Sequence, residues 1–86
     1  MDPSAYKMIQ HTDIKQIMAD VWKISADEIP DDPAFNKFLY WDSMGHVALM
    51  AALEEIYGMK ITYKALTELL SIPIIIAHLK ENGHAG

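Results

Sequence analysis

The chain has 86 residues, enough for one small hydrophobic core and not for two. Half of it is hydrophobic, yet no apolar run reaches membrane-spanning length without polar interruption. Twelve acidic residues face seven basic ones, all dispersed lysines, and cysteine is absent. This excludes the clustered basic face of a nucleic-acid binder, a disulfide framework, a thiolate metal site and a cysteine nucleophile.

A single domain over 1–86 is expected, with its folded core at about 12–82. The amino terminus, Asp2 and Pro3 leading into polar residues, lacks the basic and apolar regions of a signal peptide. The cytoplasm is therefore the expected compartment. A negatively charged small domain is suited to basic patches on partner proteins.

Residues 1–11 carry Tyr6, Met8 and Ile9 and read as a lead-in or an early extension of the first helix. Thr12 is the expected N-cap, with Asp13 in the first turn. Ile14, Ile17, Met18 and Val21 then recur at i, i+3, i+4 and i+7, one apolar stripe. The first helix is placed at about 12–23, with Trp22 and Ile24 closing it onto the core. Ser25 to Trp41 reads as a long irregular connection. Pro30 and Pro33 cannot continue a helix, and Asp27, Glu28, Asp31 and Asp32 favour turns and solvent. Ile29, Phe35, Phe38 and Leu39 are its expected apolar anchors. The acidic cluster lacks the spacing and the glycine of a calcium loop and reads as solvated.

The second helix runs from Asp42 or Ser43 to about Tyr57. Asp42 is its expected N-cap, and Gly58 ends it. His46, Leu49, Met50, Leu53 and Tyr57 share one side. Met44, Val47, Ala48 and Ala51 share another, directly below Ser43. A surface helix needs one stripe for its core, so the second face reads as a docking surface. The alternative is a central helix buried on most sides. Met59 to Ile61 forms a link, and Thr62 caps a brief third helix, Tyr63 to Leu70, with Leu66, Leu69 and Leu70 inward. Ser71 caps the last helix, which tolerates Pro73 in its first turn. Ile72, Ile75, Ile76 and Leu79 supply its inner face, and Asn82-Gly83 end it. The predicted fold is an all-α four-helix bundle: three longer helices, a short third one, and a long loop between the first two.

Ser43 falls on the exposed first turn of the second helix, where the dipole and uncommitted amides favour an attached anion. Asp42, Ser43 and His46 invite a nucleophilic reading. Adjacent residues at a helix start point apart, however, so Asp42 is poorly placed to activate Ser43. His46 could reach it, but nothing in the sequence orients the ring or supplies an oxyanion hole. The G-x-S-x-G elbow is also absent. His11, His78 and His84 show no metal-ligand spacing and read as surface residues, and the four glycines form no phosphate loop. An exposed, capped serine without catalytic neighbours is better suited to being modified than to attacking.

With these features the chain resembles the acyl carrier proteins, whose signature is an aspartate-serine-leucine motif at the start of the second of four helices. Here the motif reads Asp42-Ser43-Met44. The resemblance runs from Ile14 to about Leu79. It takes in Ile29, Phe35, Leu39 and the Ala52-Leu53-Glu54-Glu55 run ending at Tyr57. It implies that Ser43 accepts 4′-phosphopantetheine from coenzyme A, delivered by a phosphopantetheinyl transferase. It further implies that the arm's thiol carries acyl groups as thioesters, and that the carrier itself catalyses nothing. Acyl-activating enzymes, acyltransferases or ketosynthases are the implied partners, and Asp42 would help the modifying enzyme recognise the site.

The expected partner face is Met44, Val47, Ala48 and Ala51, with Glu54 and Glu55 at its far end. Leu49, Leu53, Tyr57, Ile61, Ile72 and Ile76 are expected to line the core and any pocket for the acyl chain. Tyr40 and Trp41 stand where many fatty-acid carriers have glycine, and Gly45 and Ala48 where they have acidic residues. This looks more like the stand-alone carriers of specialised pathways that modify lipids or polysaccharides or make secondary metabolites. A monomer is expected. A peptidyl or aminoacyl carrier, or an unmodified helical adaptor, is the alternative.

Overall fold

In the computed structural model, which describes residues 9–81, helix α1 spans His11–Trp22. It begins before the expected cap at Thr12, because Gln10 holds the N-cap position. The reason lies in Asp13, whose carboxylate reaches back to accept from the Gln10 amide at 2.8 Å. That is one half of a capping box, and it draws the helix start forward. Thr12 falls inside the first turn. Ile9 is also buried, ahead of the expected edge of the core. Lys23 ends α1 in the left-handed region at φ 59°, its amide bonded to the Ala19 carbonyl.

Helix α2 spans Ser43–Tyr57, with Asp42 as N-cap and Gly58 at φ 73° closing it. Helix α3 spans Tyr63–Glu68, where the Thr62 hydroxyl accepts from the Ala65 amide at 3.1 Å. It stops short of Leu70. The Leu70 carbonyl accepts instead from the Phe35 amide at 3.1 Å, and Ser71 makes an isolated antiparallel bridge with Ala34. Helix α4 spans Ile72–Glu81, with Pro73 in its first turn. Its expected end at Asn82-Gly83, the lead-in residues Tyr6 and Met8, and His84 lie outside the described residues.

Among the described residues the protein is thus all-α, with four α-helices and no strand. The core is built from Ile14 and Met18 of α1, Leu49, Met50 and Leu53 of α2, and Ile72, Ile75 and Leu79 of α4. Met59, Ala65 and Leu69 close it from the short α3 region. Each large aliphatic side chain buried there contributes about 1.5–3 kcal/mol before entropy is counted. Ile61, expected among these residues, is 36 % exposed and does not belong to the core.

The connection from α1 to α2 is ordered by local bonds. Ser25 and Glu28 cap a 3-10 turn, Ala26–Glu28, reciprocally, with Glu28 accepting from the Ser25 amide at 2.8 Å. Ile29 and Pro33 are buried, while Phe35 and Phe38 are half-buried against the core. Leu39 is not the anchor expected of it, being 80 % exposed. Trp41 takes that place at 0 %. A tight reversal explains the exchange: the Asn36 amide bonds to the Trp41 carbonyl, and the Trp41 amide to the Phe38 carbonyl. Asn36 adopts φ 63°, which asparagine tolerates, and Leu39 and Tyr40 are left at the tip.

The acidic residues of the connection are exposed. Asp31 pairs with Lys15 at 3.4 Å, an exposed contact of little energetic weight. Its carbonyl meets the His11 ring, so His11 is tied to the connection rather than being an isolated surface residue.

Candidate functional site

Two indoles fix the start of α2. Trp22, the last residue of α1, donates from Nε1 to the Gly45 carbonyl at 3.0 Å. Trp41, just before the cap, donates from Nε1 to His46 Nδ1 at 2.9 Å. The two rings lie 5.8 Å apart, centroid to centroid. One turn of helix is therefore gripped from the α1 side and from the connection. Asp42 completes the arrangement, its Oδ1 accepting from the Gly45 amide at 2.8 Å. Asp42 and Ser43 themselves remain exposed. The Ser43 hydroxyl stands at the positive end of α2, where the first amides have no carbonyl partner within the helix.

The outer face of α2 is apolar. Met44 is 84 % exposed and Val47 55 %, and Ala48 and Ala51 are exposed beside them. With Ser43 they line a shallow groove of about 450 Å³. Glu54 and Glu55 are exposed further along the same helix, and no charged side chain precedes them from Ser43 onward. A central α2 buried on most sides is ruled out by this exposure. The inner face carries His46, Leu49, Met50 and Leu53, all buried. Tyr57 is half-buried, and its phenol is pushed up by burial and by the negative charge of Asp13.

His46 is oriented after all, which the sequence did not disclose. Its Nδ1 accepts from Trp41, and its Nε2 meets the Leu66 carbonyl at 3.0 Å. Both ring nitrogens are engaged within the fold, so neither is available to activate Ser43. Burial lowers the His46 pKa, against a smaller raising effect from the Leu66 and Ala65 backbone. The nucleophilic reading fails on this geometry. His78 is half-buried on α4. Among the described residues, no group of three histidine or carboxylate side chains is placed to hold a metal ion. No described helix is long and apolar enough to cross a membrane.

The fold and the site define a small helical bundle that presents a serine at a helix start, beside an apolar face and without catalytic neighbours. The chain is 26% identical over 70 residues to the acyl carrier proteins of the Helicobacter pylori strains G27, ATCC 700392 / 26695 and HPAG1. That span covers 81% of this chain and 90% of each relative. The likeness is distant, runs along most of both chains, and supports the acyl carrier protein family. Acyl carrier proteins are carriers rather than enzymes, and the chain is read as non-catalytic with them. No family model matches it, and no solved structure gives a significant match.

Proposed function

We propose that this protein is an acyl carrier, modified on Ser43 by 4′-phosphopantetheine from coenzyme A. The observation that carries this reading is the exposed Ser43 hydroxyl on the Asp42-capped first turn of α2, in a chain distantly like acyl carrier proteins over 81% of its length. The residues fit the group. An anion on Ser43 Oγ would be stabilised by the helix dipole, and the apolar groove from Met44 to Ala51 offers a surface on which the arm can lie. In the transfer, Ser43 Oγ forms a bond to phosphorus, the pyrophosphate link of coenzyme A breaks, and the nucleotide half leaves. The serine proton passes to a base of the phosphopantetheinyl transferase. The bound arm supplies the thiol that this cysteine-free chain lacks.

Met44, Val47, Ala48 and Ala51, with Glu54 and Glu55 beyond them, would meet the transferase and then acyl-activating enzymes, acyltransferases or ketosynthases. The absence of charge on α2 before Glu54 supports a carrier of a specialised lipid, polysaccharide or secondary-metabolite pathway. Such a carrier would act in the cytoplasm as a monomer. The test is incubation with coenzyme A and a promiscuous phosphopantetheinyl transferase, followed by intact mass measurement. Wild type is expected to gain one phosphopantetheine and Ser43→Ala none. An equal mass gain in the two, whether one phosphopantetheine each or none, would refute the assignment.

A further inference from the structure

We propose that His46 is a proton-controlled positioning residue for Ser43, acting through Trp41. The inference rests on the carrier reading of Ser43 and extends it to regulation of that site. An indole N–H only donates, so the 2.9 Å bond from Trp41 Nε1 requires a lone pair on His46 Nδ1. The ring proton then sits on Nε2, where it donates to the Leu66 carbonyl at 3.0 Å. The neutral imidazole therefore joins three pieces of chain: the connection at Trp41, α2 at His46, and α3 at Leu66.

Adding a proton to Nδ1 places two donors face to face with no acceptor between them. One of the two side chains must then move. Only the Leu66 and Ala65 carbonyls favour the new charge, and burial outweighs them. The groups facing it are the Trp41 indole and the Phe35 ring from the connection, the latter at 5.2 Å between centroids, and the Leu66 and Ala65 carbonyls from α3. None of these is ionisable.

Trp41 is the side chain whose movement matters. It is fully buried, and it immediately precedes the Asp42 cap and Ser43. Its neighbour Tyr40 sets a backbone carbonyl so close to Gly45 that no side chain fits between them. Release of the indole therefore loosens the cap, the Tyr40–Gly45 approach and the presentation of the serine together. Above the titration of His46 the serine is held ready for modification, and below it the hold is lost.

Two measurements test this. In the unmodified protein, NMR follows the His46 imidazole and the two indole N–H signals against pH, Trp41→Phe identifying which belongs to Trp41. The Trp41 signal is expected to shift with the same midpoint as His46. An indole signal that stays fixed through the His46 titration overturns the proposal, and this measurement needs no substitution at His46.

The second measurement is the initial rate of phosphopantetheine transfer, taken as the ratio of wild type to His46→Asn at each pH so that the transferase's own pH dependence cancels. Asparagine keeps an acceptor where Nδ1 stands and does not titrate. The ratio should be flat above the His46 midpoint and fall about tenfold for one pH unit below it, as the neutral fraction does. A constant ratio with both proteins modified overturns the proposal alone. No modification at any pH overturns the carrier reading, and the proposal with it.

Discussion

Gly45 shows how much of the site hangs on one missing side chain. A Cβ built there overlaps the Tyr40 carbonyl oxygen and comes within 3.1 Å of Trp22 Nε1. The Tyr40 backbone cannot simply withdraw, since Trp41 beside it is buried and bonded to His46. Gly45→Ala is expected to cost about 1–3 kcal/mol by overpacking, measured by chemical denaturation. An unchanged midpoint would mean that the Tyr40 segment yields freely. Asp42 and Gly58 were legible in the sequence because capping is local, settled within three or four residues. Trp41 and His46 were not. Their partnership depends on Leu66, twenty residues further along, and on a reversal at Asn36 that no periodicity announces. In an irregular segment, nothing in the pattern decides whether Leu39 or Trp41 turns inward.

At the scale of the element, α2 wears two apolar coats for different reasons. The inner one, with Leu49 and Leu53 fully buried, belongs to the core. The outer one, with Met44 and Val47, faces solvent. The 3.6-residue period separated these faces in the sequence, since Ser43 to Tyr57 repeats it for four turns. The six-residue α3 had too little period to fix its end. Substitution should separate the two roles. Leu49→Ala is expected to lose about 2–5 kcal/mol of stability through the cavity it leaves. Val47→Asp, on the exposed side, should change stability by no more than about 0.5 kcal/mol while slowing transfer to Ser43. Denaturation curves and transfer rates on the two variants check this. A stability loss at Val47 equal to that at Leu49 would mean that the outer face is packed.

For the whole molecule, two titratable groups, buried His46 and half-buried Tyr57, make stability depend on pH at opposite ends. The unfolded chain protonates His46 near its ordinary value of 6.5, whereas burial holds the folded pKa below that. Between the two values the unfolded state binds more protons, so this contribution is complete above pH 6.5 and is lost as the pH falls towards the folded pKa. Tyr57 acts in the opposite sense. Burial and Asp13 raise its pKa above the ordinary 10.0, so its contribution is complete below pH 10.0 and is lost as the pH rises through the folded pKa. Melting temperature against pH should show both declines, with His46→Asn removing the acid component and Tyr57→Phe the alkaline one. An acid decline unaltered in His46→Asn would assign it to other groups.

The exposure of Met44 has a chemical consequence of its own. Met18, Met50 and Met59 are sealed in the core at 0 % exposure, while Met44 stands 84 % open beside the serine. A mild oxidant therefore finds its sulfur among these four at one place, and the sulfoxide it forms is polar and chiral. Oxidation would rewrite the surface around Ser43 and leave the packed interior untouched.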